Sequence, residues 1–270
     1  MRYASRLPGI KLAYNFLPGC GPVVVFCPGY GSDMSGTKAL ALEAWCKARQ
    51  LPMLRFDYAG HGASEGVFIE NGIGDWAADA AFILNRVACS QEIILVGSSM
   101  GGWISLLLGM RLQSRLKAMV LIAPAPDFTE TLLRRELTPA QRETLERTGI
   151  VYQPSDYGAP LPFSRALIER SAAHLVMKNR INITCPVRIL HGMKDESVPW
   201  RLSLQLADNL ASRDVRLIYV KEGDHRLSEP QDLALLEQTL GALFCEGRSQ
   251  PLTVSRVLPG DTEPHPGFSG

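Results

Sequence analysis

The chain has 270 residues, 46% of them hydrophobic and 20% charged, which is globular composition with enough apolar material for one large core. Its 28 Lys and Arg nearly cancel its 27 Asp and Glu, so no net field recruits nucleic acid or an anionic membrane by charge, and a substrate has to be won by a pocket. The six cysteines lack a C-x-x-C pair or any short spacing of the kind used by zinc sites and disulfide scaffolds, and they predict buried thiols in a reducing compartment.

At the start of the chain Pro8 and Lys11 interrupt any apolar run after Arg2 and Arg6, so no secretory signal is predicted. The most apolar stretch, residues 23–27, is far below the roughly 20 residues that span a bilayer. A cytoplasmic protein without stable membrane insertion is expected. Residues 10–16 predict part of an antiparallel edge pair. Short apolar runs rich in β-branched residues then recur at 23–27, 53–57, 92–97, 118–123, 187–191 and 216–220, each with the character of a strand buried on both faces. Helical segments alternate with them, at 37–49, 75–87, 100–111, 201–210 and 232–245. In the second of these, Ala78, Phe82, Ile83 and Val87 fall on one face at helical spacing. This alternation predicts an α/β fold, a mostly parallel sheet covered by helices on both faces.

One interval breaks the rhythm. Between 126 and 184 no strand run is visible, only helical pieces at 138–147 and 164–178 around a turn-rich stretch at 153–162. An insertion there sits above the C-terminal ends of the sheet strands, where open α/β sheets bind ligands, so residues 126–184 are expected to form a helical lid. The core is then split into residues 1–125 and 185–246. Residues 247–270, rich in Pro, Gly and Ser, are expected to be a disordered tail.

Gly97-Ser98-Ser99-Met100-Gly101 matches G-x-S-x-G directly after a predicted strand and directly before a predicted helix. A serine at this strained turn projects its hydroxyl from the top of the sheet, and the flanking glycines leave room for the turn. Ser99 is the candidate nucleophile. A phosphate-binding loop would place Lys after its last Gly, whereas Trp103 follows here. The motif points to the α/β-hydrolase fold, in which the chain order is Ser, then Asp or Glu, then His. A serine hydroxyl is a weak nucleophile until an imidazole takes its proton, and a carboxylate must orient that imidazole.

The strand ending at His191 runs into Asp195, and the strand ending at Val220 runs into His225. Of the other histidines, His61 lies in a turn before the nucleophile, His174 in the insertion, His191 at a strand end and His265 in the tail. Glu196 and Asp224 are the competing acids, and Asp195 is preferred because Asp224 adjoins the histidine itself. The backbone N–H groups of Met100 and Tyr30, the latter in the Pro28-Gly29-Tyr30-Gly31 turn, are the candidate oxyanion donors. In the Gly-rich segment 55–64, Asp57 is read as a turn cap and His61 as a turn residue.

With these residues placed, the chain resembles the α/β-hydrolase domain-containing protein 10 group over about residues 10–243. The specific stretches are PGYGSDMSGTKALALEAWC from Pro28, RFDYAGHGASEG from Arg55, LVGSSMGGW from Leu95, HGMKDESVPW from His191 and GDHR from Gly223. The animal members are mitochondrial acyl-protein thioesterases and acyl-glucuronide esterases. The resemblance implies cleavage of carboxylic esters or thioesters, on small molecules or acylated proteins, with Ser99, Asp195 and His225 as the triad and no metal or organic cofactor. The insertion matches the group least. No targeting segment like that of the animal members precedes Ile10, which favours a bacterial-type cytoplasmic relative. The rival readings are an aminopeptidase-like peptide hydrolase, a non-catalytic ligand-binding member of the fold, and a cofactor-free haloperoxidase or lyase. Oligomeric state is not legible in the pattern.

Overall fold

The computed structural model describes residues 1–7, 9–130, 137–154 and 159–246. Its centre is an eight-stranded sheet in the order β1-β2-β4-β3-β5-β6-β9-β10. The strands are β1 (Arg2–Leu7), β2 (Ile10–Leu17), β3 (Val23–Cys27), β4 (Met53–Phe56), β5 (Ile93–Ser98), β6 (Leu116–Ile122), β9 (Val187–Gly192) and β10 (Val215–Val220). The edge pair β1 and β2 is antiparallel, β2 meets β4 antiparallel, and every later pairing in the sheet is parallel. The predicted edge is therefore present, and it extends further toward the N-terminus than residue 10.

The run-like apolar strands follow from burial on two faces. Val23, Val25, Leu54, Phe56, Leu95 and Leu121 point to one side, where they meet Trp76, Ala80, Trp103 and Leu107. These partners lie on α2 (Ile73–Val87) and α3 (Met100–Leu112). Val24, Phe26, Ile94, Val96, Val120 and Leu190 point to the other side, onto Leu42, Trp45, Leu236 and Leu240. Those come from α1 (Thr37–Ala48) and the C-terminal helix Pro230–Glu246. Alternating side chains thus serve two cores, so every position in β3 and β5 is buried and the polar alternation of a half-exposed strand is missing.

Between β6 and β9 the insertion carries α4 (Pro139–Thr148), a two-stranded antiparallel sheet of β7 (Ile150–Gln153) and β8 (Leu161–Ser164), and α5 (Arg165–Ser171). The start of α4 is fixed by a capping box: Thr138 Oγ1 accepts from the Gln141 N–H at 3.2 Å, and Gln141 Oε1 accepts from the Thr138 N–H at 2.9 Å. Its end is fixed by Gly149 at φ 78°. The β7–β8 pair departs from the helix-and-turn expectation for this interval. Four-residue strands, one containing Pro162, carry too little periodicity to be seen in sequence. After the insertion, α6 (Leu202–Asn209) links β9 to β10, and the C-terminal helix is α7. The 247–270 tail lies outside the described residues. No helix among the described residues is long and apolar enough to cross a membrane.

Because β3, β5, β9 and β10 are parallel, the loops that leave their C-terminal ends gather on one rim of the sheet. Those loops hold Tyr30, Ser99, Asp195 and His225.

Candidate active site

Ser99 sits between β5 and α3 at φ 54°, ψ −120°, a left-handed backbone that costs a residue with a Cβ on the order of 1–3 kcal/mol. Three backbone hydrogen bonds hold it there: the Ser99 N–H donates to the Ile122 carbonyl at 2.9 Å, and its own carbonyl accepts from Gly102 at 2.8 Å and Ala125 at 3.1 Å. The neighbouring glycines are a packing requirement. A Cβ on Gly97 would overlap the Gly101 carbonyl and the Ser105 hydroxyl, and one on Gly101 would overlap the carbonyls of Cys27 and Pro28. Gly101→Ala is therefore expected to cost about 3 kcal/mol or more, because backbone rather than a flexible side chain is in the way. Thermal unfolding should show a Tm lower by about 10 °C; an unshifted Tm would contradict this packing.

The imidazole of His225 lies between the other two groups. Its Nε2 is 3.0 Å from Ser99 Oγ and its Nδ1 is 2.7 Å from Asp195 Oδ2. The remaining oxygen of Asp195 accepts from the backbone N–H groups of Ser197 at 2.9 Å and Val198 at 2.7 Å. Burial raises the Asp195 carboxyl, but hydrogen bonds from His191 and His225, the charge of His225 and the Val198 N–H outweigh it and bring it to about 2. The carboxylate is ionised throughout the neutral range. It stands against a ring nitrogen that must then carry hydrogen, which leaves Nε2 as the acceptor facing the serine hydroxyl.

The loop that carries His225 is pinned on both sides of the ring. Asp224 Oδ1 accepts from the Leu227 N–H at 2.8 Å, so Asp224 caps its own loop and does not reach the imidazole through that contact. Lys38, from α1, donates to the Arg226 carbonyl and to Ser228 Oγ, the latter at 3.2 Å. Burial, with the charge of Arg226 adding to it, lowers Lys38 to about 8. Glu196, the other candidate acid, is exposed.

The turn after β3 lies against the nucleophile. A Cβ on Gly29 would stand 3.4 Å from the Ser99 Cβ, so glycine permits this approach. The next residue, Tyr30, is held by the insertion: its hydroxyl donates to the Pro162 carbonyl, and its ring stacks on Phe163 with centroids 5.0 Å apart. Met100 opens α3, where the first N–H groups have no acceptor within the helix and the helix dipole is positive. Tyr30 and Ser99 line the same cleft, and Met100 directly follows the serine in the chain.

Ser99, His225 and Tyr30 line a cleft of about 430 Å³ together with the polar residues Lys38, Arg226, Ser32, Thr37 and Ser228 and the apolar residues Phe26, Ala159 and Leu161. Among its described lining residues there is no Asp or Glu. No group of three or more His, Cys, Asp and Glu among the described residues is arranged to hold a metal ion.

The histidines set aside in sequence are also placed. His61 is buried among Tyr58, Phe68 and Trp76, and that burial lowers it to about 4. Asp57 is a cap, accepting from the N–H groups of Met34 at 2.6 Å and Ala63 at 2.8 Å. The backbone carbonyl of His174 accepts from Trp103 Nε1 at 3.0 Å, and His265 lies outside the described residues. His191 is the residue that sequence reasoning passed over. Its Nε2 is 3.0 Å from Asp195 Oδ2, a contact signalled only by the four-residue spacing between the two.

This architecture and its sequence have known counterparts. Residues 21–157 match the family described as serine aminopeptidase, S33. The chain is 42% identical over 244 residues to the mouse (Mus musculus) protein named palmitoyl-protein thioesterase ABHD10, mitochondrial, covering 89% of this chain and 80% of that one. The solved structure of mouse α/β-hydrolase domain-containing protein 10 superposes with a TM-score of 0.83 at 38% identity, covering 91% of this chain and 98% of the other. The chain belongs to the α/β-hydrolase domain-containing protein 10 family. A solved putative hydrolase from Agrobacterium vitis S4 is similarly close, with a TM-score of 0.85 at 38% identity over 90% of this chain and 97% of that one.

Membership of this family corrects the cytoplasmic placement. The mouse, rat and human relatives are all named mitochondrial. Free thiols mark a reducing environment, and more than one compartment provides that, so cysteine spacing could not discriminate between them.

Proposed function

We propose that the chain hydrolyses acyl thioesters and carboxylic esters through an acyl-enzyme on Ser99, with His225 as general base and acid and Asp195 as the carboxylate that orients it. One observation carries this reading: the unbroken hydrogen-bond path from Ser99 Oγ through His225 to Asp195, at 3.0 and 2.7 Å, on a backbone that holds the serine at positive φ. Ser99 Oγ adds to the substrate carbonyl carbon as its proton passes to His225 Nε2, and the carbonyl oxygen becomes an anion between the Tyr30 and Met100 N–H groups. His225 returns the proton to the departing sulfur or oxygen. Water then attacks the acyl-enzyme with His225 again as base, which frees the acid and restores the serine.

Fatty-acyl thioesters are the substrate class this reading favours, supported by the relatives named palmitoyl-protein thioesterase at 38–42% identity. Residues 126–184 act as the lid. Their strand β8 touches the oxyanion turn through Tyr30, and Leu161 lines the cleft, so the insertion bears on both the acyl group and the reacting carbonyl.

The aminopeptidase reading fits the cleft less well. A free amino terminus is a cation that needs a carboxylate, whereas Lys38 and Arg226 line this cleft. Purified protein offered palmitoyl thioesters, p-nitrophenyl esters and aminoacyl anilides should turn over the first two many times per site and the anilides at least about a hundredfold more slowly, as a like-charge contact requires. Preferential anilide cleavage would overturn the ester reading. Binding of these substrates with no product released from any of them would make the chain a binding protein.

A further inference from the structure

We infer that His191 is a positioning residue for the acid of this site, holding Asp195 from behind so that the carboxylate faces His225. The inference rests on the assignment of Asp195 as the orienting acid. His191 is the fifth residue of β9, and both its side chain and that of Asp195 are fully shielded from solvent. Its Nε2 faces two acceptors, Asp195 Oδ2 at 3.0 Å and the Val198 carbonyl at 3.1 Å. A carbonyl cannot donate, so Nε2 carries the hydrogen. In the neutral ring Nδ1 is then an acceptor, and the Ser203 hydroxyl, 2.7 Å away on α6, donates to it. The order of donation is fixed from Ser203 to His191 to Asp195, and it does not depend on the state of His225.

Asp195 therefore receives four donors. Ser197 and Val198 N–H groups occupy Oδ1, and the two imidazoles share Oδ2. A carboxylate offers about four lone-pair sites, so this set leaves it no alternative partner and one orientation. Without His191, Oδ2 keeps a single donor. The carboxylate can then turn about its Cβ–Cγ bond, and the Nδ1 contact that fixes the tautomer of His225 is loosened. A buried histidine serving only the fold would be satisfied by Val198 and Ser203 alone, and its contact with Asp195 would carry no consequence for turnover.

Two substitutions separate these roles. In His191→Gln the terminal amide reaches the place of Nε2 and can still donate to Asp195. In His191→Asn the shorter side chain ends at the place of Nδ1, beside Ser203 and out of reach of Asp195. Asn is one methylene shorter than Gln and leaves the larger void in this buried position, so thermal unfolding of both variants is measured alongside kinetics to separate packing loss from the loss in turnover. With a palmitoyl thioester or p-nitrophenyl ester, His191→Asn is expected to lose about tenfold to a hundredfold in kcat, the size of one charge-assisted hydrogen bond. KM should stay within about twofold, since the residue does not line the cleft. His191→Gln should stay within about threefold of the parent kcat. Titration with a fluorophosphonate, carried to completion, supplies the concentration of reactive Ser99 for each. Equal kcat values per titrated site in the two variants, whether both are normal or both impaired, would overturn the inference. A fluorophosphonate that still labels Ser99→Ala would instead overturn the assignment of the nucleophile, so the two failures are distinguishable.

Discussion

Replacement of Ser99 by Ala is expected to lower turnover of esters and thioesters by about 10⁵-fold, and covalent labelling by a fluorophosphonate should disappear. The hydroxyl is the only part of the side chain that can form the acyl-enzyme, so there is no partial function to retain. The fold should be undisturbed. The strain at φ 54° comes from the Cβ, which alanine keeps, and the three hydrogen bonds that hold the turn are all made by backbone atoms. Tm should therefore stay within a few degrees of the parent while activity falls to the residue that oxyanion stabilisation and binding alone supply. Labelled or active Ser99→Ala protein would sink the proposed chemistry outright.

Asp195→Asn should be nearly as damaging, for a reason that lies in hydrogen-bond direction. The carboxylate receives two backbone N–H groups at one oxygen and two imidazoles at the other. An amide keeps one oxygen and replaces the other by a donor. Backbone N–H groups cannot reverse their role, and His191 Nε2 keeps its hydrogen for the Val198 carbonyl, whereas the His225 imidazole can change tautomer, so the amide NH₂ turns toward His225. Facing His225 Nδ1, it selects the tautomer with hydrogen on Nε2. That nitrogen is 3.0 Å from Ser99 Oγ and can no longer take its proton. A loss of about 10⁴-fold in kcat is expected, the scale on which a serine triad responds to the wrong tautomer. Steady-state kinetics at neutral pH measures it. A variant within tenfold of the parent would show that another group orients the base.

The polar residues of the cleft bear on specificity. Lys38 reaches the loop of His225 and is lowered to about 8 by burial, so it is mostly charged at neutral pH and lines the cleft with Arg226. This disfavours a substrate that carries an ammonium beside the scissile carbonyl, as an aminoacyl anilide does. The same lysine ties α1 to the His225 loop, which links the first and last thirds of the chain at the reacting end of the sheet.

Much of the architecture was legible in the amino-acid order. Buried parallel strands need apolar side chains on both faces, so the runs at 23–27, 92–97 and 187–191 announce themselves within a residue of the observed strands, and the helix at 75–87 shows the helical period. The serine was legible because its backbone conformation demands glycine around it, which leaves a five-residue signature. Asp195 and His225 were legible more weakly, as polar residues at the ends of later strands in the order that the fold requires. By contrast, the β7–β8 pair was hidden, because two four-residue strands on a small two-stranded sheet bury too little to impose a pattern.

The sequence by itself determined that the chain forms a doubly covered parallel sheet with a serine at a strained turn, since burial and backbone strain both select residue types locally. Only the tertiary structure decided that Ser99, His225, Asp195, His191 and Ser203 form one hydrogen-bonded line, that Tyr30 is gripped by the insertion, and that Lys38 and Arg226 line the cleft. Those relations depend on ångström-scale distances between segments up to 188 residues apart, and no local preference encodes a distance.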